Sequence, residues 1–481
     1  MSVAHEIDWK EKIADPEPVD VETLDPHFRN DVGFADAFAE RFGGRVRYIA
    51  EEGQWLIFDP RHGWHRDSSG EIRAMFIAYA RELFTKACDD AKAMTDPQAA
   101  GKAVAAAARL GDKSRIDPAL TFAAVNRRLV VSVTDLDREP HLLGVQNGVV
   151  DLRNGSFANH SPDILVTRQC ACDFDPEAEC PTFEAFLEAV QPAPEMRGFL
   201  QRLAGYSLTG YIGEHILPFH FGCGANGKGS FLEQTLFKLL GSYSAKLTDS
   251  LIYLDRKGVV PHLEIAGLCG IRFALGEENS EGGGLNEGLL KKMTGGDRQK
   301  GRFHYKSFFE YDPTAKIHLV GNHRPRISGR DDGIWRRFRL VDWPVSIPDE
   351  KKDLRLWGKL AAEFPGILNW AISGALALGE RGTQPPPSVI VATDKFRADS
   401  DSFGDFLREK TADDPEGTVT KAELFKAYRD YCDEQALAPK YRQTKRKVGF
   451  LMIERGYDEG TRHESAKIWI GIRLKEACGD V

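Results

Sequence analysis

The sequence has 481 residues, 42% of them hydrophobic, which is room for two to four domains with their own cores. Its 64 Lys and Arg against 72 Asp and Glu give a net charge of −8, which excludes a uniformly basic nucleic-acid coat but not local basic surfaces. No apolar run approaches the ~20 residues of a membrane span, and the N-terminus lacks signal-peptide character, so a cytoplasmic protein without a membrane partner is expected. The eight cysteines form no C-x-x-C pair and are expected to be free, buried thiols.

Residues 1–24 are polar and acidic, with Asp15-Pro16 and Glu17-Pro18, and read as a flexible tail. Phe34, Phe38 and Phe42 have helical spacing that Gly43-Gly44 ends. Two strands follow, around Val46–Ile49 and Trp55–Phe58, with Trp55 and Trp64 expected in the core. Residues 71–127 read as helical, and Leu129–Val133 as a strand before Asp135-Leu136-Asp137. Paired carboxylates after a strand suit a nucleotidyl-transfer metal site; a turn with solvated carboxylates is the alternative. Asn147-Gly148 and Asn154-Gly155 are hairpin-turn dipeptides about a short strand.

The stretch Phe219–Phe231, F-H-F-G-C-G-A-N-G-K-G-S-F, follows the apolar strand Ile216–Phe221 and precedes Leu232, Leu236, Leu239 and Leu240 at helical spacing. Strand, glycine-rich turn, lysine and helix is the context of a phosphate-binding loop, whose backbone N–H groups face one anion. Gly222, Gly224, Ala225, Asn226, Gly227, Lys228, Gly229 and Ser230 are therefore the expected ATP-binding residues. Gly229 stands where a metal-binding hydroxyl is usual, so Ser230 or water would serve Mg²⁺ instead.

A second strand, Ile271–Leu275, ends G-E-E-N, which makes Glu277 and Glu278 candidates for metal and water activation. A third, Ile317–Val320, ends at Asn322, a candidate γ-phosphate sensor. Arg336 and Arg337 follow an acidic turn and suit a charge-stabilising finger, with a surface ion pair to Asp331 or Asp332 as the alternative. Between the second and third strands Arg298, Lys300, Arg302, His304 and Lys306 interleave with Phe303 and Tyr305, a pattern that suits a hairpin meeting nucleic-acid phosphates. Beyond Ser400, a capping box at Thr420–Glu423 opens a helix, Lys440, Arg442, Lys445, Arg446 and Lys447 crowd a second, and Ala466–Ile472 reads as a strand. This order fits a winged helix on duplex DNA.

In this order and spacing, G-C-G-A-N-G-K-G-S, F-A-L-G-E-E-N, M-T-G-G-D, H-L-V-G-N-H-R-P and W-R-R-F resemble a superfamily 3 helicase. More narrowly, the chain is similar to the phage and plasmid primase-helicases related to P4 phage and poxvirus D5 proteins. L-L-G-V-Q-N-G-V-V-D-L-R-N-G resembles the domain preceding the helicase in that family, and F-P-G-I-L-N-W-A-I-S-G-A-L the helices after it. The resemblance implies a tail (1–24), a D5-like α+β domain (25–185), an AAA+-type α/β core (186–399) and a winged-helix-like domain (400–481).

It implies further an ATP- and Mg²⁺-dependent helicase that assembles as a hexameric ring on single-stranded and forked DNA, with a separate primase or other replication proteins as partners. Lys228 would bind phosphates, Glu277 and Glu278 would serve metal and water, and Asn322 would sense the γ-phosphate. Arg336 or Arg337 would reach the neighbouring subunit's ATP, and His304 and Lys306 would touch DNA in the channel. The polymerising primase domain of many relatives has no visible counterpart. A primase-polymerase using Asp135 and Asp137, and an initiator ATPase that binds DNA without processive unwinding, are the alternative functions.

Overall fold

A computed structural model describes residues 30–253, 261–277, 284–325, 327, 332–435, 442–462 and 466–475. It divides into two compact units, Met1–Ile327 with Asp332–Thr393, and Ser328–Asp331 with Asp394–Val481.

The first unit begins with a helix, Asp31–Phe42, whose N-terminus is capped by Asn30 Oδ1 accepting from Gly33 N at 2.7 Å. Its buried Phe34 and Phe38 meet Phe76 of the long helix Glu71–Ala93, with the Phe38 and Phe76 rings stacked. Two more helices, Pro97–Arg109 and Lys113–Ala123, complete the helical stretch. Beside it a four-stranded sheet runs in the order Gly63–Arg66, Gln54–Asp59, Val46–Ile49, Val130–Val131. Trp64, which follows the expected turn, lies on a third antiparallel strand with its indole buried. The Asn-Gly pairs make a three-stranded meander, Leu142–Val145, Gly148–Asp151 and Ser156–Ala158.

The central sheet has five parallel strands: β1 (Leu217–Phe221), β2 (Ser244–Lys246), β3 (Phe273–Glu277), β4 (Lys316–Gly321) and β5 (Phe338–Asp342), in the spatial order β5-β1-β4-β3-β2. Register sets Phe221 beside Gly321 and Asp342, and Val320 beside Glu277, so these strands end along one carboxyl edge. That edge is where open parallel sheets bind ligands. Helix Phe364–Arg381 crosses helix Pro194–Leu208 at Gly374 and Gly205, where an added Cβ would lie 2.1 Å from Gln201 O and from Ala375 N respectively.

Buried polar groups join the sheet to its surroundings. The fully buried Arg272 guanidinium donates to Leu208 O at 2.5 Å and Leu142 O at 2.7 Å, and its face lies over the Tyr243 ring. Tyr243 Oη accepts from Gly144 N. The meander is thereby fastened to β3 by charge-assisted bonds.

A second network runs through β1 and β4. Trp343 Nε1, which can only donate, bonds His220 Nδ1 at 3.2 Å. His220 must then carry its proton on Nε2 and donate to His318 Nδ1, 3.2 Å away. His318 in turn donates from Nε2 to Ser207 Oγ, and Ser207 to Leu203 O. Both rings are neutral in this chain. Burial pushes the His318 pKa down to about 3, and burial with the neighbouring His318 and Lys228 pushes His220 well below its ordinary value.

The second unit holds a helix, Ser402–Lys410, a strand, Thr411–Thr420, two helices, Lys421–Glu434 and Lys445–Glu454, and the strands Asp458–Arg462 and Ala466–Leu474. The last strand lies in the middle of the three-stranded sheet, and Phe403, Phe406, Tyr428, Trp469 and Ile472 fill the core. The Thr420–Glu423 capping box is present in both halves.

The histidine relay makes stability pH-dependent. Both folded pKa values lie below the ordinary ~6.5, so the unfolded chain binds more protons and stability falls as pH drops below about 6.5. Each ring contributes a slope of up to about 1.4 kcal/mol per pH unit. Thermal unfolding of wild type and His318→Gln between pH 7.5 and 5.0 should show a shallower acid loss in the variant. Equal slopes would mean that the relay does not carry the acid sensitivity.

Candidate functional site

The glycine-rich loop leaves β1 at the carboxyl edge. Gly224, Ala225 and Gly227 all take positive φ, 76°, 47° and 81°. Gly222 is required by packing, because a Cβ there would lie 2.2 Å from Asn226 Nδ2 and 2.9 Å from Trp343 O. Asn226 is buried, with Nδ2 directed to Trp343 O and Oδ1 accepting from Lys228 N. The loop is pinned from β5 as well, since Trp343 N donates to Phe221 O and Ile347 N to Ala225 O.

Lys228 opens the helical segment after the loop. Its ammonium donates to Gly222 O at 2.9 Å, Gly321 O at 2.8 Å and Asn322 Oδ1 at 3.0 Å. One cation thus joins the ends of β1 and β4. Since Oδ1 of Asn322 accepts from the lysine, its Nδ2 is the donor left for an incoming oxygen. A cavity of about 210 Å³ opens here, lined by Lys228, Gly229, Glu233, Glu277 and Asn322 among others.

Ser230 is not among the residues lining that cavity. The helix from Ser230 to Phe237 is wound with π geometry, and its Thr235 Oγ1 bonds back to Ser230 O at 2.8 Å. The turn of the helix brings Glu233, four residues after Gly229, onto the cavity face. Sequence reasoning missed this residue and also Lys246 on β2, whose ammonium bridges Glu233 Oε1, at 2.7 Å, and Glu277 Oε1. Burial pulls the Lys246 pKa down, but the bonds to the two carboxylates outweigh it and hold it above its ordinary value. Spacing from Gly229 was a signal for Glu233; Lys246 had none, because only sheet order brings it near. Glu278 lies outside the described residues. Among the described residues no group of three or more His, Cys, Asp or Glu is placed to hold a metal ion.

The two arginines after helix Asp332–Trp335 have opposite environments. Arg337 is buried and donates from Nη1 to Gly333 O at 2.6 Å, with Nη2 close to Gly295; Arg336 is exposed. The expected basic hairpin is formed by Gln299–Gly301 and Phe309–Tyr311, antiparallel. It is anchored on helix His262–Gly267 through Arg302 N to His262 O and Tyr311 Oη to Ile265 O. Lys300 and Arg302 lie over the Phe308 ring, and His304, Tyr305 and Lys306 are exposed at its tip. Tyr305 combines full exposure with φ 58°, a strained backbone of the kind found at functional positions.

Asp135 and Asp137 serve the backbone. Asp135 Oδ2 accepts from Ser132 N in a capping box, and Asp137 accepts from Thr167 N, Thr167 Oγ1 and Arg168 N. In the second unit Lys445, Arg446 and Lys447 are exposed on the first turn of their helix, whereas Arg442 is paired with Asp433 at 2.6 Å; Lys440 lies outside the described residues. The cysteines among the described residues are free, but only Cys170, Cys172, Cys180 and Cys432 are buried as expected; Cys88 and Cys269 are half-buried, and Cys223 in the glycine-rich loop is exposed. No helix among the described residues is long and apolar enough to cross a membrane.

These features define a mixed α/β protein on a central parallel sheet, with a glycine-rich lysine loop at its carboxyl edge. Residues 35–192 match the family described as D5 N terminal like. It is 31% identical over 269 residues to a frog virus 3 protein named "Putative helicase 022R", covering 51% of this chain and 27% of that one. It is 24% identical over 341 residues to the African swine fever virus protein named "Putative primase C962R", covering 62% and 34%. The chain thus spans about a quarter to a third of the length of the curated relatives it matches. The solved structure of the NrS-1 C terminal region aligns over 92% of this chain and 100% of that one, with TM-score 0.48 and 9% identity.

The loop geometry yields opposite outcomes for two glycines. Gly229 has helical φ and ψ and nothing within 4 Å of a built Cβ, so Gly229→Ala should stabilise by about 0.5–1 kcal/mol. Gly222→Ala should displace Asn226 and lower the melting temperature. Thermal unfolding of both variants checks this; destabilisation by Gly229→Ala would contradict the described helix start.

Proposed function

We propose that this chain is an ATP-driven DNA helicase that acts as a ring of six copies in replication of a viral, phage or plasmid DNA. The observation that carries the reading is the Lys228 ammonium, held between Gly222 O, Gly321 O and Asn322 Oδ1 at the mouth of a glycine-rich loop. The donor set fits a nucleoside triphosphate: left-handed residues open the loop to an anion, and the helix start adds partial positive charge. The names borne by the viral relatives, helicase and primase, agree with this reading.

In this reading Lys228 binds the terminal phosphates, and Asn322 donates from Nδ2 to the γ-phosphate or the attacking water. Glu277 and Glu233, now sharing Lys246, are the carboxylates that would hold Mg²⁺; the ion would neutralise developing phosphate charge. Glu277 also stands where a carboxylate can orient water. Of the two arginines, exposed Arg336 is suited to reach a neighbouring subunit's nucleotide, while Arg337 holds its own turn. The hairpin tip and the exposed Lys445–Lys447 face are the DNA contacts; the second unit acts as a winged-helix-like module.

Lys228→Ala should abolish ATP hydrolysis in a folded protein. Arg336→Ala should bind ATP yet hydrolyse it slower by about 10³-fold. Mixing the two variants should restore part of the activity, because one type of mixed interface holds both a lysine and an arginine. Wild-type turnover by Lys228→Ala would overturn the ATPase reading. No recovery in rings shown to be mixed would overturn the role of Arg336 in trans.

A further inference from the structure

A second cavity lies away from the phosphate loop. It measures about 480 Å³, within the range of ligand sites, and separates the hairpin tip from the first sheet and the segment around Asp137 and Arg168. One wall is cationic. Lys306 of the hairpin reaches the turn at Gly53, where a built Cβ would lie 2.6 Å from its Nζ; Gly53, at φ 72°, leaves room for the ammonium. Arg168 is held by Ser242 O at 2.5 Å and Cys269 O at 2.7 Å, and burial draws its pKa below the ordinary value, so a nearby anion would relieve its desolvation. Arg66 forms a two-point pair with Glu52, both bonds 2.8 Å.

The two carboxylates on the lining are already engaged, Glu52 by Arg66 and Asp137 by the Thr167 and Arg168 donors. Three cations against two carboxylates leave one positive charge, the complement of a single phosphodiester. The remaining lining includes Phe303, Val133 and Leu136, an apolar wall suited to a base face. Tyr305, exposed beside it at the tip, can stack the next base.

We infer that this cavity holds one nucleotide of a single-stranded nucleic acid, its phosphate between Lys306 and Arg168 and its base against Phe303. The N-terminal domain thereby forms half of the strand-binding site. The inference rests on the reading of the hairpin as a DNA contact and deepens it.

Gln54 lines the cavity, is exposed and lies outside the hairpin, so charge can be placed there without disturbing the core. Anisotropy titrations of the full chain with fluorescein-labelled oligothymidylate should show Gln54→Glu weakening binding and Gln54→Lys tightening it, each by about three- to tenfold. Unchanged affinity in both, alongside lost binding in a His304→Ala and Lys306→Ala double variant, would overturn the cavity assignment and leave the hairpin reading standing. Normal binding by the double variant would overturn both. Displacement of the strand by micromolar thymidine 5′-monophosphate, sensitive to Gln54→Glu, would assign the cavity to a free nucleotide instead and overturn the strand assignment.

Discussion

The Lys228 ammonium is the point at which the central sheet and the glycine-rich loop constrain one another. Its three donors are met by carbonyls at the ends of β1 and β4 and by the Asn322 side chain. This arrangement requires β4 to lie directly beside β1, which the strand order provides. A buried ammonium with its hydrogen bonds satisfied is tolerable in a way an unpaired one is not. The same adjacency brings Asn322 to the loop, and the next strand outward brings Glu277, so one sheet edge gathers lysine, amide and carboxylate from distant segments of sequence.

The rest of the first unit supports that edge from behind. The Trp343–His220–His318–Ser207 relay ties the strands carrying the loop and the amide to helix Pro194–Leu208, and Arg272 ties β3 to the meander. Both networks are fully buried, where a satisfied bond rigidifies and a missing one is costly. The meander lies within the segment matched to the D5 N-terminal-like family. Its link to β3 is a physical reason for that domain to accompany this sheet.

Much of this was legible in the sequence, because glycine turns, strand ends and the Thr420–Glu423 capping box are local signals. The loop, the Asn322 strand end, the meander and the basic hairpin each stand where residue spacing indicated. What escaped depends on neighbours distant in sequence. Lys246 meets Glu233 and Glu277 only because β2 lies beside β3. Arg336 and Arg337 are indistinguishable in composition, yet a four-residue helix turns one to solvent and the other inward. The strand Thr411–Thr420 contains Asp414-Pro415-Glu416-Gly417, turn chemistry that conceals it; the pairing register shifts between Asp413 and Thr418 to accommodate those residues.

The central claim is that a nucleoside triphosphate sits at the β1–β4 edge. A structure of the chain with Mg²⁺ and a non-hydrolysable ATP analogue tests it most directly. The account predicts the γ-phosphate beside Lys228 Nζ and Asn322 Nδ2, with Lys246 no longer bridging Glu233 and Glu277. A nucleotide bound elsewhere, or a loop left empty at saturating analogue, would contradict it.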